Sequence, residues 1–131
     1  MKYTELIKAA NEAKEHSYSP YSNFKVGAAV LGKNGKIYAG ANIENSSYGA
    51  SLCAERLAVS KAIFDGERAF VAISISCSNP EITCYPCGIC RQYLSEFGDM
   101  DIVLLKNGKY EKAIKLSKLL PNNFGAKDLK K

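Results

Sequence analysis

The sequence predicts an α/β protein, a three-layer α/β/α sandwich on a mixed five-stranded sheet. Short β-rich runs alternate with helical patterns, and strands separated by a helix must be joined by crossovers. Two of the runs flank a tight glycine-bounded turn, which makes that pair antiparallel. The 131 residues, 47% hydrophobic and 24% charged, suffice for one globular domain (1–131) with its own core and leave no room for two.

Taken in order, Leu6, Ile7, Ala10 and Ala13 fall near one face at helical spacing, so Lys2–Glu15 reads as an amphipathic helix. His16 to Asn23, with Pro20 among turn formers, is a loop. Lys25–Leu31 and Lys36–Ala41 are strands around Gly32-Lys-Asn-Gly35. Asn42–Ser51 is too polar and irregular for either element. Leu52–Phe64 is a helix stopped at Asp65-Gly66. Ala69–Ser76 reads as a buried central strand. Pro86 is expected to open a short helix through Phe97, closed by Gly98. Asp101–Leu105 is a strand, Lys109–Ile114 an edge strand, and Leu116–Leu120 a turn of helix before Pro121.

No apolar run approaches the roughly 18 residues of a membrane span. The start, Met1-Lys2-Tyr3-Thr4-Glu5, is polar, which predicts a cytoplasmic protein without a membrane partner. The formal charge is +5, yet only Arg56, Arg68 and Arg91 of the 18 basic residues are arginines. The lysines gather towards the C-terminus as a solvated face, without the Arg and aromatic interleaving of a nucleic-acid surface.

Five cysteines, an odd count, argue against a disulfide framework. Cys87 and Cys90, three apart in a helical first turn, face the same point. A helix N-terminus favours the thiolate that zinc requires. Cys53, at another helix start, supplies a third sulfur, and three protein ligands leave the fourth position to water, as in catalytic zinc sites. Residues i and i+2 of a helix point nearly opposite ways. Glu55 therefore reaches the same centre only if Cys53 lies at or just before the first turn. So placed, its carboxylate can take a proton from water and return it to a leaving group.

The pairing Cys53-Ala54-Glu55 with Pro86-Cys87-Gly88-Ile89-Cys90 is the signature of zinc deaminases, with cysteine as first ligand. Around it stand Tyr21-Ser22-Asn23-Phe24-Lys25-Val26-Gly27-Ala28-Ala29, Asn42-Ile43-Glu44-Asn45 and Leu119-Leu120-Pro121-Asn122-Asn123-Phe124-Gly125. The chain resembles the small homotetrameric cytidine deaminases over nearly its whole length, with no departure at a catalytic position. That resemblance implies one zinc ion per subunit on Cys53, Cys87 and Cys90, with Glu55 as proton shuttle. It further implies that the Ala54 N–H contacts the base, Phe24 packs on the pyrimidine, and Asn42 and Glu44 bind the ribose hydroxyls. Ser46, Tyr48 and Phe124 are the matching positions through which neighbouring subunits complete the pocket, which implies a homo-oligomer, a tetramer. The implied reaction converts cytidine and deoxycytidine to uridine and deoxyuridine with release of ammonia, in pyrimidine salvage. Three thiolates weaken zinc as a Lewis acid, and Arg56 with the two helix N-termini can drain charge from them.

Other readings exist. Cys84-x-x-Cys87-x-x-Cys90 is similar to the start of an iron–sulfur run, but position 94 is Leu94 where the next cysteine belongs, which leaves a remote Cys53 or Cys77 to substitute. A redox pair at Cys87 and Cys90 should follow a strand and usually a Trp, which this chain lacks, and leaves Cys53-Ala54-Glu55 unexplained. The non-enzymatic reading is a four-cysteine structural zinc module on RNA. Cys77 and Cys84 read as inert, and His16 as a surface residue. Singly, Phe24, Phe124, Asn42, Glu44 and Arg56 have ordinary structural explanations; their joint arrangement points to a site.

Overall fold

The computed structural model describes residues 2–130. The elements are α1 (Thr4–Ala13), β1 (Val26–Gly32), β2 (Ile37–Ala41), α2 (Ala54–Phe64), β3 (Phe70–Cys77), α3 (Gly88–Ser95), β4 (Asp101–Lys106), β5 (Lys109–Lys115) and α4 (Leu116–Leu119). Short 3-10 turns lie at Lys14–His16, Tyr48–Ala50 and Ala126–Asp128. The strand order is β2-β1-β3-β4-β5, and every neighbouring pair is antiparallel except β3 with β4. That parallel pair is joined through α3, as a crossover requires.

Alternate side chains of the strands feed two cores. On one face Ala28, Val30, Ile73, Ile75, Ile102 and Leu104 pack with Ala58 and Ala62 of α2 and Leu94 of α3. On the other, Ala29, Ala72, Val103 and Leu105 meet Tyr3 and the α1 residues Leu6 and Ala10. Full burial of each large aliphatic side chain contributes roughly 1.5–3 kcal/mol. The three layers and the mixed five-stranded sheet are those expected, with β3 in the centre.

The boundaries differ where tertiary contacts override local pattern. α1 starts at Thr4, and its expected last turn winds as the 3-10 segment Lys14–His16. Leu52 is not helical, because its N–H and C=O both pair with the backbone of Ile43. Pro86 does not open α3. The extended Cys87 (ψ 171°) caps the helix, which begins at Gly88 and ends at Ser95. Strands β3 and β5 each run one residue further than expected, because Cys77 pairs with Val26 and Lys115 with Asp101. Asn107 and Gly108, at φ 52° and 74°, make the two-residue turn of a β4–β5 hairpin. Outer strand β5 is exposed along most of its length, and Lys109, Lys112 and Lys115 discourage edge-to-edge pairing.

Gly40 matters most to the site. A Cβ there would stand 2.7 Å from Ala58 N and 2.8 Å from Ala54 O. Its absence lets the first turn of α2, which follows Cys53 and carries Glu55, lie directly on β2.

Candidate active site

Cys53 and Cys87 are both helix caps, with extended backbone at φ −73°, ψ 150° and φ −71°, ψ 171°. The geometric condition on Glu55 is thereby met, since Cys53 stands just outside α2 and Glu55 is its second residue. Cys53 Sγ lies 3.9 Å from Cys87 Sγ, Cys87 Sγ lies 3.5 Å from Cys90 Sγ, and all three fall within 4.8 Å of one another. A tetrahedron of 2.3 Å zinc–sulfur bonds has edges of about 3.8 Å, so the donor set fits zinc. Among the described residues it is the one cluster of three His, Cys, Asp or Glu side chains able to hold a metal. Cys84 does not join it. This buried thiol lies outside the cluster, which among the described residues leaves the iron–sulfur and four-cysteine readings without a fourth sulfur.

Arg56 Nη2 approaches Cys53 Sγ at 3.6 Å and Ser51 O at 3.4 Å. Hydrogen bonding from Cys90, then from Arg56, brings the Cys53 thiol down to about 5. Cys90 moves the opposite way, raised by its bond to Cys53 and by burial. Glu55 is 4% exposed. Burial, with a smaller push from Cys53, raises its carboxyl to about 7.

Cys53, Cys87 and Glu55 line a cavity of about 260 Å³ together with Phe24, Asn42, Glu44 and Ala54. Ala54 is the first residue of α2, so its N–H has no partner within the helix. Asn42 Oδ1 accepts the Val26 N–H (2.9 Å) and the Ser17 hydroxyl (2.5 Å), while Nδ2 donates to Phe24 O (2.8 Å). The amide thus keeps one N–H to offer. Glu44 accepts the Ser22 hydroxyl and the N–H groups of Tyr21 and Ser22, and this bonding holds its carboxyl below its ordinary value.

Ser46, Tyr48 and Phe124 do not line this cavity within one chain. Tyr48 is 74% exposed, with its ring edge-on to Tyr21 at 5.8 Å. Phe124 is 60% exposed, its carbonyl accepting a bond from Gln92. Ser46 is exposed in the loop before Tyr48. Conversely, Cys84 and Tyr85 line the cavity, although the sequence reading gave them no role there. Their position directly before Pro86-Cys87 was the available signal.

Three sulfurs presented by two helix N-termini, beside a buried carboxyl at the floor of an α/β/α fold, define a metal-dependent hydrolytic centre. Residues 1–106 match the family described as the cytidine and deoxycytidylate deaminase zinc-binding region, and the chain belongs to that family. It is 46% identical over 126 residues to the cytidine deaminase of Halalkalibacterium halodurans, covering 95% of each chain. Identity to the cytidine deaminase of Sporosarcina psychrophila is 44% over 132 residues, 98% of this chain and 96% of that one. The crystal structure of cytidine deaminase from Burkholderia pseudomallei superposes with a TM-score of 0.87 at 41% identity, covering 95% of this chain and all of that one.

Proposed function

We propose that the protein is a zinc-dependent cytidine deaminase, converting cytidine and deoxycytidine with water to uridine and deoxyuridine and releasing ammonia. The observation that carries this reading is the cluster of the Cys53, Cys87 and Cys90 sulfurs, of which Cys53 and Cys87 line, with the buried Glu55, the cavity that Phe24, Asn42 and Glu44 also line. The three cysteines hold the metal. Zinc, when bound, polarises water and brings its pKa towards about 7.

The chain's own residues do the rest. Phe24 packs against the pyrimidine and the Ala54 N–H fixes the base. Asn42, with its one spare N–H, and Glu44, an acceptor, hold the ribose hydroxyls and so select a nucleoside over a free base. Glu55 accepts a proton from the attacking water and delivers it to ring N3. It then takes the second proton from the hydroxyl now on C4 and passes it to the amino group, so that the C4–N bond breaks, C4=O forms and ammonia departs. A buried carboxyl, raised above its ordinary range by desolvation, can take a proton and give it up again.

The protein acts as a homotetramer in which Ser46, Tyr48 and Phe124 of neighbouring subunits complete each pocket; the exposed aromatic rings of Tyr48 and Phe124 support this. Its partner is a nucleoside, without nucleic acid or membrane, and its place is pyrimidine salvage in the cytoplasm. No helix among the described residues is long and apolar enough to cross a membrane. Incubation with cytidine, followed by loss of its ultraviolet absorbance with and without a strong chelator, tests the reading. Chelator-sensitive loss is expected; an inert zinc-loaded protein would overturn it.

A further inference from the structure

Glu44 is gripped unevenly. Its Oε1 accepts two backbone N–H groups, from Tyr21 at 2.9 Å and Ser22 at 3.1 Å. Its Oε2 accepts only the Ser22 hydroxyl. A carboxylate oxygen offers about two acceptor sites, so Oε1 is filled and Oε2 keeps one free. The oxygen with spare capacity is therefore the one whose direction is set by a single side-chain proton.

The same hydroxyl works in both directions. Ser22 Oγ accepts the Phe24 N–H at 3.0 Å while donating to Glu44. Phe24 O in turn takes the Asn42 amide at 2.8 Å. Asn23, left-handed at φ 57°, closes the turn between Ser22 and Phe24. Glu44 lines both the 260 Å³ cavity and an adjoining 280 Å³ cavity that Ser22 lines from the other side. Ser22 itself does not line the metal-bearing cavity.

We propose that Ser22 is a positioning residue for the sugar half of the substrate: its hydroxyl aims Glu44 Oε2 at a ribose hydroxyl and links that oxygen to the Phe24 backbone. Ser22 touches neither the base nor the metal ligands, and acts through Glu44. The assignment rests on the nucleoside reading of the pocket. Glu44, kept ionised by these three donors, serves as a pure acceptor and pairs with a sugar O–H.

The test compares the zinc-loaded native protein with Ser22→Ala and Ser22→Thr. Cytidine turnover is measured, as is the Ki of 2′,3′-dideoxycytidine, whose sugar lacks both ring hydroxyls. Loss of a charge-assisted hydrogen bond's alignment should raise the cytidine KM roughly tenfold in Ser22→Ala. The kcat and the dideoxycytidine Ki should stay within about twofold, because neither depends on a sugar hydroxyl. Ser22→Thr, which retains the donor at an exposed position, should restore the native KM. An unchanged cytidine KM in Ser22→Ala would overturn the assignment. So would a parallel rise in the dideoxycytidine Ki, which marks Ser22 as a general support of the loop. Native protein inactive on cytidine would remove the nucleoside reading itself, whereas active native protein with an indifferent Ser22→Ala removes only the role of Ser22.

Discussion

Arg56 Nη2 and Cys53 Sγ stand 3.6 Å apart, joined across the first turn of α2 from its cap to its third residue. The spacing of three places both on one helix face. Arg56 does not line the cavity, so its positive charge acts on the metal's ligand and not on the substrate.

Arg56→Gln should therefore keep zinc near one per subunit while lowering kcat, because an undrained thiolate leaves the metal less electrophilic. Losing the guanidinium also makes Cys53 easier to protonate. Metal binding competes with protons for thiolates, so zinc should be lost at a higher pH than in the native protein. Zinc analysis across a pH series and steady-state kinetics check both effects. Native turnover in the variant would refute the role.

Glu55→Gln should fold, bind zinc and bind nucleoside, yet lose on the order of 10² to 10⁴-fold in rate for want of a proton carrier. The comparison is kcat beside the Kd of a non-hydrolysed nucleoside. A variant retaining a tenth of native kcat would remove Glu55 from the proton path.

Phe124 and Glu55 should complement one another across subunits. Phe124→Ala and Glu55→Ala proteins, each weakly active or inactive, should regain activity when dissociated and reassembled together, because a mixed assembly of the proposed kind would contain pockets with both residues. Separately purified mixtures that never regain activity would show that each pocket belongs to one chain.

Tyr3 and Asp101 supply a pH-dependent share of stability. The Tyr3 hydroxyl donates to Asp101 Oδ2 at 2.5 Å, and Lys115 lies 2.9 Å from Asp101 Oδ1. Burial first, and the Asp101 contact second, push the phenol up to about 12 from its ordinary 10.0. The folded chain thus holds this proton where the unfolded chain releases it. The stabilisation is complete below pH 10.0 and is lost as pH rises towards about 12. Asp101, held low by Tyr3 and then Lys115, keeps its share above the ordinary carboxylate value of 3.8 and loses it on acidification. In denaturant titrations Tyr3→Phe should be less stable than native at pH 8, with the gap narrowing above pH 10. A gap independent of pH would contradict this.

Much of the architecture was legible because the apolar periods are local properties. The runs at Lys25–Leu31 and Ala69–Ser76 and the glycine stops report strands and helix ends without reference to distant partners. Cys53, Glu55, Cys87 and Cys90 were legible because their chemistry depends on short spacings along helix starts. What escaped depends on contacts between segments. Pro86 suggested a helix start, but the extended backbone of Cys87 moved it to Gly88. Leu52 has helical neighbours in sequence, yet pairs with Ile43. The Asn107-Gly108 turn was visible and unused. Ser17 carries no periodic or motif signal, and Ser22, though inside a segment of the resemblance, was given no role; both roles appear only when the loop before β1 folds against Asn42 and Glu44.

X-ray absorption at the zinc edge of the purified protein bears most directly on the centre. Three sulfur scatterers near 2.3 Å and one oxygen or nitrogen neighbour are expected for an ion bound by Cys53, Cys87 and Cys90. Four sulfurs around the metal, or protein that binds no zinc, would contradict it.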